Sequence, residues 1–182
     1  MSENLLENKK IIFIIAFRDF RDEEYFVPKE ILEKAGAQIK TASNKRGMTL
    51  GADGGEVEAD LLVSEINPAA FDAVVFIGGP GCLENLDNKD SYNLARETIS
   101  QNKVLASICV SPTILAKAGV LTGKRATAWT SPFDKSTFRV LEDNGAIYED
   151  KPVVIDGKII TANGPAAAKE FGEAIVKVLT GE

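Results

Sequence analysis

Val104-Leu105-Ala106-Ser107-Ile108-Cys109-Val110-Ser111-Pro112 is the stretch that decides how this chain is read. Lys103 to Ile108 has the composition of a short buried strand. Cys109 follows at once, and Ser111-Pro112 opens a helix, because proline suits the first helical position. That helix runs through Ala118 and stops at Gly119. A strand that becomes a helix within one or two residues, with cysteine at the corner, has the shape of a nucleophile elbow. The helix start would supply unpaired N–H groups and a positive dipole, both favouring thiolate over thiol. Position alone leaves a second reading open, a buried cysteine acting as a small hydrophobe.

Working outward, Ile11-Ile12-Phe13-Ile14-Ile15-Ala16-Phe17 is apolar without alternation, the mark of a central parallel strand covered on both faces. Asp22 offers a helix cap, and Val27, Ile31, Leu32 and Ala35 follow at helical spacing until Gly36. Gln38–Ala42 and Ala73–Ile77 read as further strands. The segment 45–63 reads as a hairpin around Asp53-Gly54. Helices are expected over Asp90–Ser100, Pro132–Asp143 and Gly164–Thr180. Short strands are expected over Ala126–Ala128, Ile147–Glu149, Val153–Ile155 and Lys158–Thr161. Strands alternating with helices imply one three-layer α/β domain with a mostly parallel sheet, spanning 1–182, with residues 1–9 as a solvated tail.

The 182 residues fit one domain with a full core. Histidine is absent, which removes Ser-His, Cys-His and His-metal mechanisms. The net charge of −6 and the lack of basic runs beyond Lys9-Lys10 and Lys45-Arg46 argue against nucleic acid. Two cysteines suggest a reducing cytoplasm, not a disulfide framework. The apolar run after Lys10 is too short for a signal peptide and has no cleavage site, and nothing approaches the ~20 residues that span a bilayer.

In such a sheet, ligands gather beyond the carboxyl ends of the strands. Three segments reach that edge: Arg18–Glu24, Gly78–Cys82 and Cys109–Pro112. Gly78-Gly79 permits close backbone approach and leaves N–H groups free to face an anion. Gly79-x-Gly81 lacks the third glycine and the acid of a dinucleotide site. Asp22, Glu23 and Glu24 at a helix start are ordinarily solvated acids. Cys82 is a candidate resolving thiol for Cys109, while Trp129 and Tyr148 read as core or interface aromatics.

Taken in order, these segments resemble the ThiJ/PfpI superfamily, which includes the Parkinson-disease-associated protein deglycase. The resemblance rests on Asp22-Glu23-Glu24-Tyr25-Phe26-Val27-Pro28, Val75-Phe76-Ile77-Gly78-Gly79-Pro80-Gly81 and Val104–Pro112. Ala118-Gly119-Val120-Leu121-Thr122-Gly123, Val153–Lys158 and Thr161-Ala162-Asn163-Gly164-Pro165 extend it from about Lys10 to Leu179. The resemblance implies a flavodoxin-like three-layer sandwich, a homodimer and no cofactor or metal. It implies Cys109 as the elbow thiol and Glu24 as the acid that contacts it in protonated form. Gly79 and Val110 would supply oxyanion-type N–H donors, with Gly78, Ser131 and Cys82 as auxiliary candidates.

The chain also departs from the family. Protease-like members carry histidine after the cysteine, where Val110 stands, and deglycase-like members carry one near Thr130-Ser131-Pro132. Three activities share the one site. Glyoxalase- or deglycase-like chemistry on a small reactive carbonyl needs a thiol and a carboxyl, and both are present. A redox-sensing stress protein would meet an oxidant, with Cys109 passing to sulfinic acid. A peptidase or amidase would need Ser111, Ser131 or water in place of histidine, which disfavours it.

Overall fold

A computed structural model describes residues 4–182. In chain order the elements are β1 (Lys10–Ile14), β2 (Arg18–Phe20), α1 (Asp22–Lys34), β3 (Gln38–Ser43), β4 (Gly47–Gly51), β5 (Glu56–Ala59) and β6 (Leu61–Leu62). They continue with β7 (Ala73–Phe76), α2 (Cys82–Leu86), α3 (Lys89–Ser100), β8 (Val104–Ile108) and α4 (Pro112–Lys117). The chain closes with β9 (Arg125–Ala126), α5 (Ser136–Asp143), β10 (Ile147–Tyr148), β11 (Val153–Asp156), β12 (Ile159–Ala162) and α6 (Ala168–Thr180).

The main sheet has seven strands in the order β11-β12-β8-β7-β1-β3-β6. Every pair in it is parallel except β11 with β12. The unalternating run in β1 follows from cover on both faces. Ile11, Phe13 and Ile15 pack with Tyr25 and Leu32 of α1 and Phe171 and Ile175 of α6. Ile12 and Ile14 pack with Leu94 of α3 and Ile114 and Leu115 of α4. The architecture is thus the flavodoxin-like α/β/α sandwich, and its central strands β8, β7 and β1 end together at one edge. Excursions from the sheet form a three-stranded β2-β4-β5 unit and a two-stranded β9-β10 unit.

Four expectations change. The tail is not wholly solvated: Leu6 is fully buried, and its N–H donates to the Ala35 carbonyl at 2.7 Å. Residues 1–3 lie outside the described residues. Asp22 is not the cap of α1, whose N-cap is Arg21. Its carboxylate accepts instead from Asp53 N–H at 2.8 Å and Gly55 N–H at 2.6 Å, pinning the hairpin tip against the start of the helix. The helix expected from Pro132 begins at Ser136, because Ser131 and Asp134 take their own neighbours' N–H groups first. The strand expected over Ala126–Ala128 is the two-residue β9, Arg125–Ala126. Among the described residues no helix is long and apolar enough to cross a membrane.

Candidate active site

Cys109 is the first residue beyond β8, and its φ of 67° puts it in the left-handed region. A non-glycine residue there costs roughly 1–2 kcal/mol, so the surroundings must hold it in place. They do so through both backbone groups: Cys109 N–H donates to the Ala162 carbonyl at 2.9 Å, and Trp129 N–H donates to the Cys109 carbonyl at 2.8 Å. β12 on one side and the chain after β9 on the other thereby fix the corner. The side chain keeps only a sliver of exposure, 8% for the residue.

Glu24 lies in the first turn of α1 and is fully buried. Pro28, four residues on, lacks the N–H that would bond the Glu24 carbonyl in a regular helix. The carboxyl faces the ends of the sheet strands. Its Oε2 accepts from Gly78 N–H at 3.0 Å, while Oε1 has no hydrogen-bond partner of good geometry. The carboxyl and the Cys109 thiol nonetheless lie close enough for each to shift the other's ionisation. The resting geometry therefore has them side by side and not tightly bonded.

Burial pushes the Glu24 carboxyl up to about 7, against smaller downward pulls from the thiol, Gly78 N–H and Arg21. Burial also pushes the Cys109 thiol up, and the neighbouring Glu24 charge adds to that, while Val110 N–H pulls it down. This corrects the expectation of a thiol lowered by a helix start. The two groups are coupled: the carboxyl ionises first, near 7, and its charge together with burial then keeps the neighbouring thiol protonated.

Gly78 and Gly79 are required by close approach. A Cβ on Gly78 would lie 2.6 Å from Cys109 Cβ and 2.8 Å from Glu24 Oε2. Gly79, at φ +120°, would place one 2.4 Å from Arg21 N. Of the N–H groups expected to be free, that of Gly78 is committed to Glu24. The Gly79 and Val110 N–H groups meet no backbone or side-chain oxygen among the described residues, and Val110 N–H lies against the Cys109 sulfur.

The auxiliary candidates fall elsewhere. Ser131 uses its hydroxyl to accept from Asp134 N–H at 3.0 Å within its own loop. Ser111 is buried beneath the elbow and bonded to strand backbone, so neither serine stands in for histidine. Cys82 is a free thiol, fully buried in the opposite core layer with Ile12 and Leu86, and its pKa is pushed up by burial. Trp129 packs against the layer containing Cys109, and Tyr148 stacks edge-on with Phe138. The sequence reading missed the backbone anchors at Ala162 and Trp129, which have no side-chain signature. Among the described residues no group of three or more potential ligands could hold a metal ion.

The chain is similar to a set of known proteins. The pattern of the DJ-1/PfpI family matches residues 9–178. An uncharacterized protein of Methanocaldococcus jannaschii is 38% identical over 96% of the chain and 84% of its own length. A deglycase of Pyrococcus horikoshii is 33% identical over 93% of the chain and 99% of its own length. The glutathione-independent glyoxalase DJR-1.2 of Caenorhabditis elegans is 27% identical over 95% of the chain and 90% of its own length. The crystal structure of a ThiJ/PfpI domain protein from Brachyspira murdochii superposes with a TM-score of 0.89 at 34% identity, covering 97% of this chain and 99% of that one. With the family pattern, the sequence and the fold in agreement over nearly the whole length, the chain belongs to the DJ-1/PfpI family.

Proposed function

We propose that the protein is a cofactor-independent enzyme acting on small reactive carbonyls, with glyoxalase- or deglycase-like chemistry at Cys109. The observation that carries this reading is a buried carboxyl, Glu24, ionising near pH 7 beside a thiol held in a left-handed elbow. A group with that pKa can both give and take a proton at neutral pH. The names of the Pyrococcus and Caenorhabditis relatives point the same way.

In this mechanism Glu24 carries the proton that Cys109 gives up. The thiolate adds to the aldehyde carbon of a 2-oxoaldehyde, and the C=O π bond breaks to leave an oxyanion. The Gly79 and Val110 N–H groups face that oxygen, in the manner of preorganised donors. Glu24 returns that proton to the oxyanion, which gives a hemithioacetal and frees the carboxylate. Glu24 then removes the proton from the former aldehyde carbon and returns it to the adjacent carbon, while the hemithioacetal hydroxyl proton passes to the neighbouring ketone oxygen, giving the thioester of a 2-hydroxy acid. Water cleaves the thioester, releases the acid and restores the thiol. The sum is 2-oxoaldehyde plus water to 2-hydroxy acid, with no outside oxidant. Cys109→Ala should abolish conversion of methylglyoxal to lactate, and turnover at the wild-type rate would refute the reading.

A redox-sensing role uses the same atoms. The observation in its favour is the buried Glu24 carboxyl beside Cys109, raised toward neutrality, which in its protonated form would donate to an oxygen of a Cys109 sulfinate. Dilute peroxide should then add two oxygens at Cys109, read by intact mass, and less readily in Glu24→Gln.

A further inference from the structure

Ser111 spends its hydroxyl in an unexpected direction. A serine just before a helix ordinarily turns its oxygen to the first N–H groups of that helix. Ser111 occupies the N-cap of α4 and makes no such bond. Its fully buried Oγ points back beneath the elbow instead. There it accepts from Ile108 N–H at 3.0 Å and meets Ser107 Oγ at 2.6 Å. The carbonyls of Phe76 and Ile108 lie 3.0 and 2.8 Å away.

A hydroxyl has one proton and two acceptor lone pairs. The bonding capacity of the hydroxyl is filled if Ser111 accepts from Ile108 N–H and the Ser107 hydroxyl and donates to one of the two carbonyls, the other carbonyl remaining a close neighbour. Burying an unpaired hydroxyl is costly, so a hydroxyl bonded this fully favours a single arrangement of its partners. Its position is informative. The β7–β8 ladder ends with Phe76 paired to Ser107, and Ser111 sits across that last rung. Beyond the rung, β7 runs into Gly78 and Gly79, and β8 runs into Cys109 with its costly φ.

We propose that Ser111 is a positioning residue, its hydroxyl latching the carboxyl ends of β7 and β8 so that the Cys109 sulfur is held against the Gly78–Gly79 loop and the Glu24 carboxyl. The inference rests on the reading of Cys109 and Glu24 as the reactive pair. The latch touches no reacting atom. It acts by fixing how far the elbow stands from the loop, and a displacement of ~1 Å in such a site costs up to about 100-fold.

The test follows alkylation of Cys109 by iodoacetamide against pH in the full chain, located by peptide mass. Wild type should show a step near pH 7, where Glu24 ionises, and then a plateau. Ser111→Ala should lower that plateau about tenfold while remaining folded, and Ser111→Thr, which keeps the hydroxyl, should restore most of it. A Ser111→Ala profile that overlays the wild type overturns the latch, whatever its melting temperature. If Ser111→Ala does not fold, Ser107→Ala removes one bond of the latch and should lower the plateau about threefold. An unchanged profile there overturns the proposal equally. Glu24→Gln separates the two levels of the argument. A step that survives it refutes the reactive pair itself, whereas a step lost in Glu24→Gln and untouched in Ser111→Ala refutes only the latch.

Discussion

Cys109 and Cys82 are both free, both buried and both pushed toward the thiol form, yet their surroundings differ in kind. Cys82 opens the short helix α2 inside the layer that holds Ile12 and Leu86, with no exposure at all. Cys109 stands at the end of a central strand, turned outward by a left-handed backbone, with Glu24 on one side and Val110 N–H against its sulfur. Burial treats the two thiols alike. What separates them is a backbone corner and a partner that can exchange a proton. In the function proposed above, the reactivity of Cys109 rests on geometry and on a carboxyl that can take its proton, and not on a low intrinsic thiol pKa.

Several changes would break or sharpen this contrast. The largest effect is expected at Cys109 itself: Cys109→Ala should reduce methylglyoxal turnover at least about 1,000-fold, whereas Cys82→Ala should leave it within about twofold. Steady-state rates on the two variants decide the point. Glu24→Gln keeps the shape of the side chain and removes its proton exchange, so turnover should fall about 100- to 10,000-fold with little change in KM.

Stability gives a further handle on Glu24. Its folded pKa, about 7, lies above its ordinary value of 4.5. The folded protein therefore binds more protons than the unfolded chain between those values, and Glu24's contribution is full below about pH 4.5 and is lost as pH rises through 7. In denaturant titrations, Glu24→Gln should gain on wild type by about 3 kcal/mol between pH 4.5 and pH 8. Gly78→Ala should cost about 1–3 kcal/mol, because its Cβ would press on Cys109 Cβ at 2.6 Å and on the Ile108 carbonyl. Cys82→Ala is the smallest change, about 1 kcal/mol of thermal stability for one lost sulfur in a packed layer.

Much of this contrast was legible in the sequence, and the limits were physical. The unalternating Ile11–Phe17 and the Cys109-Val110-Ser111-Pro112 corner depend on local periodicity and on proline, so the sheet and the elbow could be read directly. Glu24 was distinguishable from Asp22 and Glu23 only through the family resemblance, since burial of one acid in a run of three is decided by the strands above it. The role of Asp22 was hidden because its partners, Asp53 and Gly55, are more than thirty residues away. Leu6 was hidden for the same reason, its partner being Ala35. The helix expected from Pro132 starts later because Ser131 and Asp134 close a turn there, a local competition that the helical range does not reveal. Ser111 did carry a signal, a serine at an N-cap, but that signal pointed to the wrong partner.

The most direct test of the coupling between Glu24 and Cys109 is the ultraviolet absorbance of the Cys109 thiolate. It is taken as the difference between wild type and Cys109→Ala from about pH 5 to about pH 9, and repeated in the Glu24→Gln background. The account predicts that the ionised Glu24 carboxyl holds the thiol protonated, so that thiolate absorbance at the upper end of this range is weaker in wild type than in the Glu24→Gln background. Identical titrations in the two backgrounds would contradict it.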